Sequence, residues 1–261
     1  MQRKNPGKNP SKWTDNKNSK KVPSESEEIR LNKFIANAGV CSRRDADKLI
    51  AEGSIKVNGK IIRELGYKVL RSDKVSYKGK ALKSEALRYV LLNKPKDFIT
   101  TVDDPQNRKT VMQLVEKACD ERIYPVGRLD RQTTGLLLFT NDGELADKLS
   151  HPSNNIKKLY QVELDKPLDD LDFEKIASGV TLEDGKAFVD NLAIIEKHKR
   201  TIGIEIHLGR NRIVRRIFES LGYDVIRLDR VMYAGLTKKD LPRGKWRYLT
   251  LKEIIRLKHF K

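Results

Sequence analysis

The segment from 123 to 139 constrains the fold of this chain more than any other. Two short apolar runs, 123–126 and 136–139, have the length and the β-branched or aromatic content of buried strands. Between them lies a polar loop, Gly127-Arg128-Leu129-Asp130-Arg131-Gln132-Thr133-Thr134-Gly135, which carries one acid among arginines. A carboxylate held at the end of buried strands beside guanidinium groups stays ionised and is aimed by the backbone, which suits a nucleophile or a base. The same residues also fit a plain turn in which Asp130 pairs with Arg128 or Arg131.

The surroundings bound the choice. With 261 residues the chain has room for one ordinary domain and a small one. Lys and Arg total 54 against 36 Asp and Glu, a formal charge of +18, so a polyanionic partner is favoured and nucleic acid outranks membrane. No apolar run approaches the roughly 20 residues of a membrane span, and the N-terminus lacks the hydrophobic stretch of a secretion signal, so a cytoplasmic protein is expected. Cys41 and Cys119 stand apart, and the four histidines lack metal-ligand spacing, so no metal is expected. Neither a dinucleotide glycine fingerprint nor a Walker loop is present, and no cofactor is expected either.

In chain order, residues 1–28 are rich in Lys, Asn, Ser and Pro and read as a disordered basic tail. Leu31, Phe34, Ile35 and Ala38 then fall at helical spacing up to Gly39. Ser42 reads as the N-cap of a second helix that runs to Gly53, and Asn58-Gly59-Lys60 between two apolar runs signals a hairpin. Arg43 and Arg44 occupy the first turn of the second helix, where cations oppose the helix dipole; they fit either an external phosphate or a solvated face. A polar, Lys-rich linker is expected over 77–86, with a buried strand beginning at 87. Farther on, Asp142 suits a helix cap, 157–164 alternates as a strand with Tyr160 inside it, and a strand over 204–208 leads into a helix with Asn211 as its N-cap. In that helix Arg212, Arg215 and Arg216 lie opposite an apolar face, with Arg215 near the border.

Gly127-Arg128-Leu129-Asp130 followed by Thr133-Thr134-Gly135-Leu136 closely resembles the catalytic motif of the ribosomal RNA pseudouridine synthases of the RsuA/RluB family. The likeness extends to Asn93-Lys94-Pro95, to Lys158-Leu159-Tyr160, to Gly209-Arg210-Asn211-Arg212 through Arg215-Arg216, and to the closing segment around Leu228-Asp229-Arg230. Residues 30–60 resemble the S4 RNA-binding module that precedes the catalytic domain in that family. The resemblance implies an α+β architecture: a basic tail (1–28), an S4-like domain (29–76), a linker (77–86) and a catalytic domain (87–261) on a mostly antiparallel mixed sheet. It implies an isomerase acting on a uridine of ribosomal RNA, with 23S favoured over 16S; free RNA and an assembling ribosomal particle both stay open as the substrate, and a monomer is the simplest expectation.

By the same resemblance Asp130 is the catalytic carboxylate, Tyr160 stacks on the target base, and Arg215 ion-pairs with Asp130. Candidate RNA contacts are Arg30, Lys33, Arg43 and Arg44 in the small domain and Lys94, Arg108, Lys109, Arg128, Arg210 and Arg212 in the large one; each also fits an ordinary surface charge. Many members of the wider superfamily carry His-Gln just before the basic pair, where this chain has Arg212 and Ile213, a departure that bears on which base is selected. The competing reading is a non-catalytic S4-type RNA-binding protein that assists ribosome assembly. A pure binder has no need of Asp130, Tyr160 and Arg215 in three separate motifs.

Overall fold

The computed structural model describes residues 28–259, so the basic tail lies outside the described residues except for Glu28. The chain divides into two compact units, one of residues up to 36 with 40–82, the other of 37–39 with residues 83 onward. In the first, β1 (Ile29–Arg30) leads into α1 (Leu31–Asn37), and α2 (Arg43–Ala51) follows. The Ser42 hydroxyl caps α2 by accepting the Asp45 N–H at 3.2 Å. Then come β2 (Ile55–Val57), β3 (Lys60–Ile62), β4 (Lys68–Val69), β5 (Val75–Tyr77) and β6 (Lys80–Ala81). Asn58 and Gly59 both take positive φ, 49° and 83°, as a two-residue turn between β2 and β3 requires. Leu31, Ile35, Ala46 and Ile50 from the helices close over Ile55, Val57, Val69 and Val75.

The linker expected over 77–86 is corrected here. Tyr77 ends β5, and β6 pairs back on it around Lys78 and Gly79, so the unit reaches Leu82. The strand was hidden in the sequence because Lys80 and Ala81 are exposed and carry no apolar alternation.

The second unit begins with β7 (Tyr89–Lys94), α3 (Met112–Val115), β8 (Tyr124–Val126), β9 (Thr134–Thr140) and α4 (Gly143–Ser150). It continues through β10 (Lys158–Leu164), α5 (Asp170–Ser178), β11 (Val180–Leu182), β12 (Gly185–Ala187), β13 (Asn191–Ile194) and β14 (Thr201–Ile206). Last come α6 (Ile213–Glu219), β15 (Val225–Tyr233), β16 (Leu236–Thr237), β17 (Trp246–Tyr248) and α7 (Leu251–Lys258). Nine strands of the described residues form one sheet in the order β13-β14-β10-β15-β9-β7-β17, with β8 beside β9 and β16 beside β15. Every pair in it is antiparallel except β9 with β15.

The sheet is covered on both faces. Val90, Leu92, Leu137 and Phe139 join one core with α6 residues Ile213, Val214, Ile217 and Phe218. Leu91, Leu136 and Leu138 join the other, under Leu145 and Leu149 of α4 and Leu257 of α7. Burial on both sides is why 136–139 is continuously apolar rather than alternating. Asp142 caps α4 by accepting the Leu145 N–H at 3.1 Å, and it also accepts from the Tyr89 hydroxyl at 2.7 Å. Among the described residues no helix is long and apolar enough to cross a membrane.

The parallel contact of β9 with β15 forces a glycine. Gly135 has φ +106°, and a Cβ there would lie 2.3 Å from the carbonyl oxygen and 2.5 Å from the amide nitrogen of Arg230. Neither backbone atom can step aside without parting the strands. Gly135→Ala is therefore expected to destabilise by about 3 kcal/mol or more, from backbone strain plus steric overlap. Gly143→Ala, whose Cβ would meet only the Tyr124 hydroxyl at 3.4 Å, should shift the denaturant midpoint little or slightly upward. Equal losses in the two variants would refute this account of the strand contact.

Candidate active site

The Asp130 loop joins β8 to β9 and is shaped by the segment that follows β7. Lys94 ends β7 with its side chain fully buried. Its ammonium donates to the carbonyls of Pro95 at 3.1 Å, Asp130 at 3.1 Å, Arg131 at 3.3 Å and Thr133 at 2.8 Å. The Thr100 hydroxyl donates to the Leu129 carbonyl at 2.7 Å and accepts the Leu129 N–H at 3.3 Å. The Asp97 N–H reaches the Arg131 carbonyl at 2.9 Å, and the Thr133 N–H closes a turn on the Asp130 carbonyl at 3.0 Å. The loop is thus tied down through its backbone. The Asp130 carboxylate, half-buried, makes no hydrogen bond or ion pair among the described residues.

Asp130 and Tyr160 both line a cavity of about 320 Å³, together with Arg128, Lys158, Arg210, Arg212 and Arg230. Tyr160 on β10 is the register partner of Arg230 on β15, so the two side chains stand side by side on one face of the sheet. Only 3% of Arg230 is exposed; its Nε donates to the Leu136 carbonyl at 2.8 Å and its guanidinium lies 4.4 Å over the Tyr233 ring. Its Nη2 is buried without a partner. Lys158, two residues before Tyr160, donates to the His207 carbonyl at 2.7 Å. Burial first, and then the charge of Arg230, pushes the Lys158 amine down to about 8. Among the described residues no three His, Cys, Asp or Glu side chains converge as metal ligands.

The structure brings Asp130, Tyr160, Arg128, Arg210 and Arg212 together at this cavity. Arg210 is also bound to the hairpin of β11 and β12, donating to the Gly185 carbonyl at 3.0 Å, and Arg212 pairs with Glu219 at 3.0 Å. Two expectations are corrected. Lys94 does not contact RNA from the surface, because its ammonium is enclosed by the loop carbonyls. Arg215 makes no ion pair with Asp130: it is buried beside the start of β15, its Nη1 donating to the Val225 carbonyl at 2.7 Å and its Nε left without a partner. Burial and the nearby Arg212 lower its pKa, while Asp130 acts the other way, so the two groups influence each other through space.

The start of this helix also differs from expectation. Arg212, not Asn211, precedes its first turn, in the left-handed region at φ 46° and without a side-chain cap. Elsewhere, Arg108 is held by Asp104 through bonds of 2.6 and 3.1 Å, and Lys109 is exposed; neither lines the cavity. In the first unit Arg30, Arg43 and Arg44 are exposed and Lys33 is half-buried. Lys158 and Arg230 were missed by sequence reasoning, although the lysines before Tyr160 and the Asp229-Arg230 pair stood in motifs it had singled out.

A free carboxylate, an aromatic ring and a cationic wall around one cavity, in a chain with a separate small basic unit, describe an enzyme that works on nucleic acid. Comparison with known proteins agrees. The sequence profile of the family described as RNA pseudouridylate synthase matches residues 88–220, and that of the S4 domain matches residues 29–75. The ribosomal large subunit pseudouridine synthase B of Bacillus subtilis is 46% identical over 234 residues, 88% of this chain and 95% of that protein. An uncharacterised RNA pseudouridine synthase of Aquifex aeolicus is 42% identical over 88% of this chain and 94% of its own length. A crystal structure of a pseudouridylate synthase superposes with a TM-score of 0.63 at 29% identity, covering 88% of this chain and 99% of that one. The chain belongs to the RNA pseudouridylate synthase family and carries an S4 domain ahead of the synthase fold.

The role of Lys94 is open to test. Its burial holds the amine down at about 8, with the charges of Asp130 and Asp97 opposing the shift. Between about 8 and the usual 10.5 the unfolded chain keeps a proton that the folded chain has released, so this group makes stability rise with pH across that window. Lys158 acts in the same sense. Lys94→Met should lose this part of the rise. At neutral pH it should also strand the loop carbonyls, at about 1–3 kcal/mol. Denaturant midpoints of both proteins from pH 7 to 10 would show it, and parallel curves would count against a buried, titrating Lys94.

Proposed function

We propose that this protein converts a uridine of large-subunit ribosomal RNA to pseudouridine, with Asp130 as the carboxylate that acts on the ribose. The observation that carries this reading is an unpaired carboxylate on a backbone-held loop, sharing its cavity with the ring of Tyr160. The large-subunit substrate is supported by the relative named for that activity at 46% identity and by the Gly209-Arg210-Asn211-Arg212 motif. A cytoplasmic site of action follows from that substrate.

The reaction moves C1′ of the ribose from N1 to C5 of the base, without redox change and without an external donor. The target base must first leave its RNA stack, at a cost on the order of a few kcal/mol that stacking on Tyr160 and backbone contacts offset. Asp130 then either attacks C1′ or removes a sugar proton. Arg215 bonds to the Val225 carbonyl instead of gripping the carboxylate, so the oxygen lone pairs of Asp130 stay available. Arg128, Arg210 and Arg212 hold the RNA backbone at the cavity, and the S4 unit, with Arg30, Lys33, Arg43 and Arg44, adds a second hold on the RNA.

Tritium release from ribosomal RNA labelled at C5 of uridine, prepared from cells lacking this protein, tests the reaction and its carboxylate together. Wild type should release tritium, and Asp130→Asn should fall by about 10³–10⁴-fold or more with RNA affinity retained. If neither protein released tritium from free RNA or ribosomal particles while both still bound, the assembly-factor reading would replace this one. Affinity should also drop roughly 10³-fold between 50 and 200 mM salt if about six phosphates are neutralised. A flat salt response would argue against an RNA substrate.

A further inference from the structure

Two cations in the cavity lack a role in the mechanism as described. Arg230 and Lys158 lie close enough for the first to depress the second, and no carboxylate of the described residues pairs with either. Arg230 is buried with its Nη2 unpartnered, an arrangement that costs folding free energy unless something else meets the donor. Both sit beside Tyr160: Arg230 across the strand pair in register, Lys158 along the same strand. A base stacked on the Tyr160 ring would lie in the cavity that these two groups line.

The chemistry supplies the missing partner. When the N1–C1′ bond breaks, the bonding pair goes to N1 and the negative charge spreads over O2 and O4 of the uracil. This holds whether the carboxylate oxygen of Asp130 takes C1′ or its removal of the C2′ proton drives elimination. C5 then supplies the pair for the C5–C1′ bond, the C5 proton is lost, N1 gains a proton, and Asp130 returns to its starting state. In either route Asp130 is occupied, by the new bond to C1′ or by the C2′ proton, so the donors that stabilise the departing anion must come from elsewhere in the wall.

We propose that Arg230, assisted by Lys158, binds the carbonyl edge of the target uracil and stabilises the anion formed as the glycosidic bond breaks. The inference rests on the pseudouridine synthase reading of this cavity. A phosphate of the RNA backbone suits these residues less well, because the polymer must leave the cavity on both sides of the flipped nucleotide, past the outer arginines Arg128 and Arg212, which are exposed where Arg230 is not. Donors that bind a neutral carbonyl weakly and its charged form strongly act on the rate more than on affinity.

The test compares single-turnover rates and RNA affinities of wild type, Arg230→Gln, Arg230→Lys and Lys158→Met. Two RNAs are used, one with uridine at the target and one with 5-fluorouridine, whose fluorine makes the departing uracil a more stable anion. Consumption of the target nucleoside is followed by mass analysis of digested RNA. Arg230→Gln should slow uridine conversion by about 10²–10³-fold with affinity within a few-fold of wild type. The loss on 5-fluorouridine should be smaller by about tenfold, since a better leaving group needs less help. Lys158→Met should show the same inequality with a smaller loss, and Arg230→Lys should restore part of the rate. If Arg230→Gln does not fold, the inequality in Lys158→Met decides the matter. Equal losses on the two RNAs, or an affinity loss that matches the rate loss, overturn the inference. A wild type that converts neither RNA overturns the synthase reading beneath it.

Discussion

The ammonium of Lys94 at the root of the Asp130 loop is the contact on which the rest of the site depends. A reactive carboxylate has to be left unpaired, so it cannot anchor the loop that carries it. The anchoring falls to the backbone, and a loop without regular structure has carbonyls that neither helix nor strand satisfies. One lysine, two threonine bonds and a short backbone turn meet that need. Burying an ammonium costs several kcal/mol, offset only where every donor finds an acceptor. Here four carbonyls crowd around one nitrogen, three of them from the loop itself. Burial lowers the proton affinity of the amine, with the charges of Asp130 and Asp97 opposing it.

The platform under that loop is locked from a second direction. Asp229, just before Arg230, accepts from Thr134 at 2.9 Å and from both Nη atoms of Arg243 at 2.9 and 3.0 Å, and it pairs with Lys238. Burial alone would raise the pKa of this carboxyl, but the bonds from Arg243 and Lys238 outweigh it and hold it low. Arg243 also donates to the Asn93 side chain at 2.6 Å, and Asn93 in turn donates to the Leu241 carbonyl at 2.8 Å. The end of β7, the start of β9 and the middle of β15 are thereby fixed to one another. That geometry sets Arg230 in the same cavity as the Asp130 loop, and the bare Cα of Gly135 makes it possible.

How much of this could be read in the sequence depended on whether the signal was local. The cap at Ser42, the Asn58-Gly59 turn, the two strands around the loop and the cap at Asp142 each follow from a few neighbouring residues, and each is where the pattern placed it. Asp130 and Tyr160 were singled out because short words carry them, though nothing local said that segments 30 residues apart would line one cavity. Lys94 was misread because a lysine in a strand-to-loop junction looks like a surface charge; only the returning 129–133 backbone makes it interior. Arg215 was placed correctly on its helix but not relative to Asp130, since its bond to Val225 belongs to the packing of α6 on β15 and leaves no trace in either segment. Arg230 stood in the Leu228-Asp229-Arg230 word but was given no role, because an arginine in a strand is normally directed to solvent.

The arginines in and around the site fall into two groups with different surroundings. Arg210 lies 3.5 Å and Arg216 2.9 Å from Asp184, and Arg212 pairs with Glu219. On the proposed RNA-binding role, an arginine so paired would exchange a carboxylate for a phosphate, and its net gain in affinity would be small and strongly screened by salt. Arg128 has no such partner among the described residues and can engage a phosphate without that exchange. On the same proposed role these outer groups, with the +18 charge of the whole chain, would draw RNA in without choosing among sequences. Arg215 and Arg230 are different: they are desolvated, fixed by backbone carbonyls at one nitrogen each, and buried with other donors unmet. Screening by salt reaches such groups weakly. Of the two only Arg230 lines the cavity, so under the proposed function the arginine that meets the base once it is inside is not one of those that recruit the RNA.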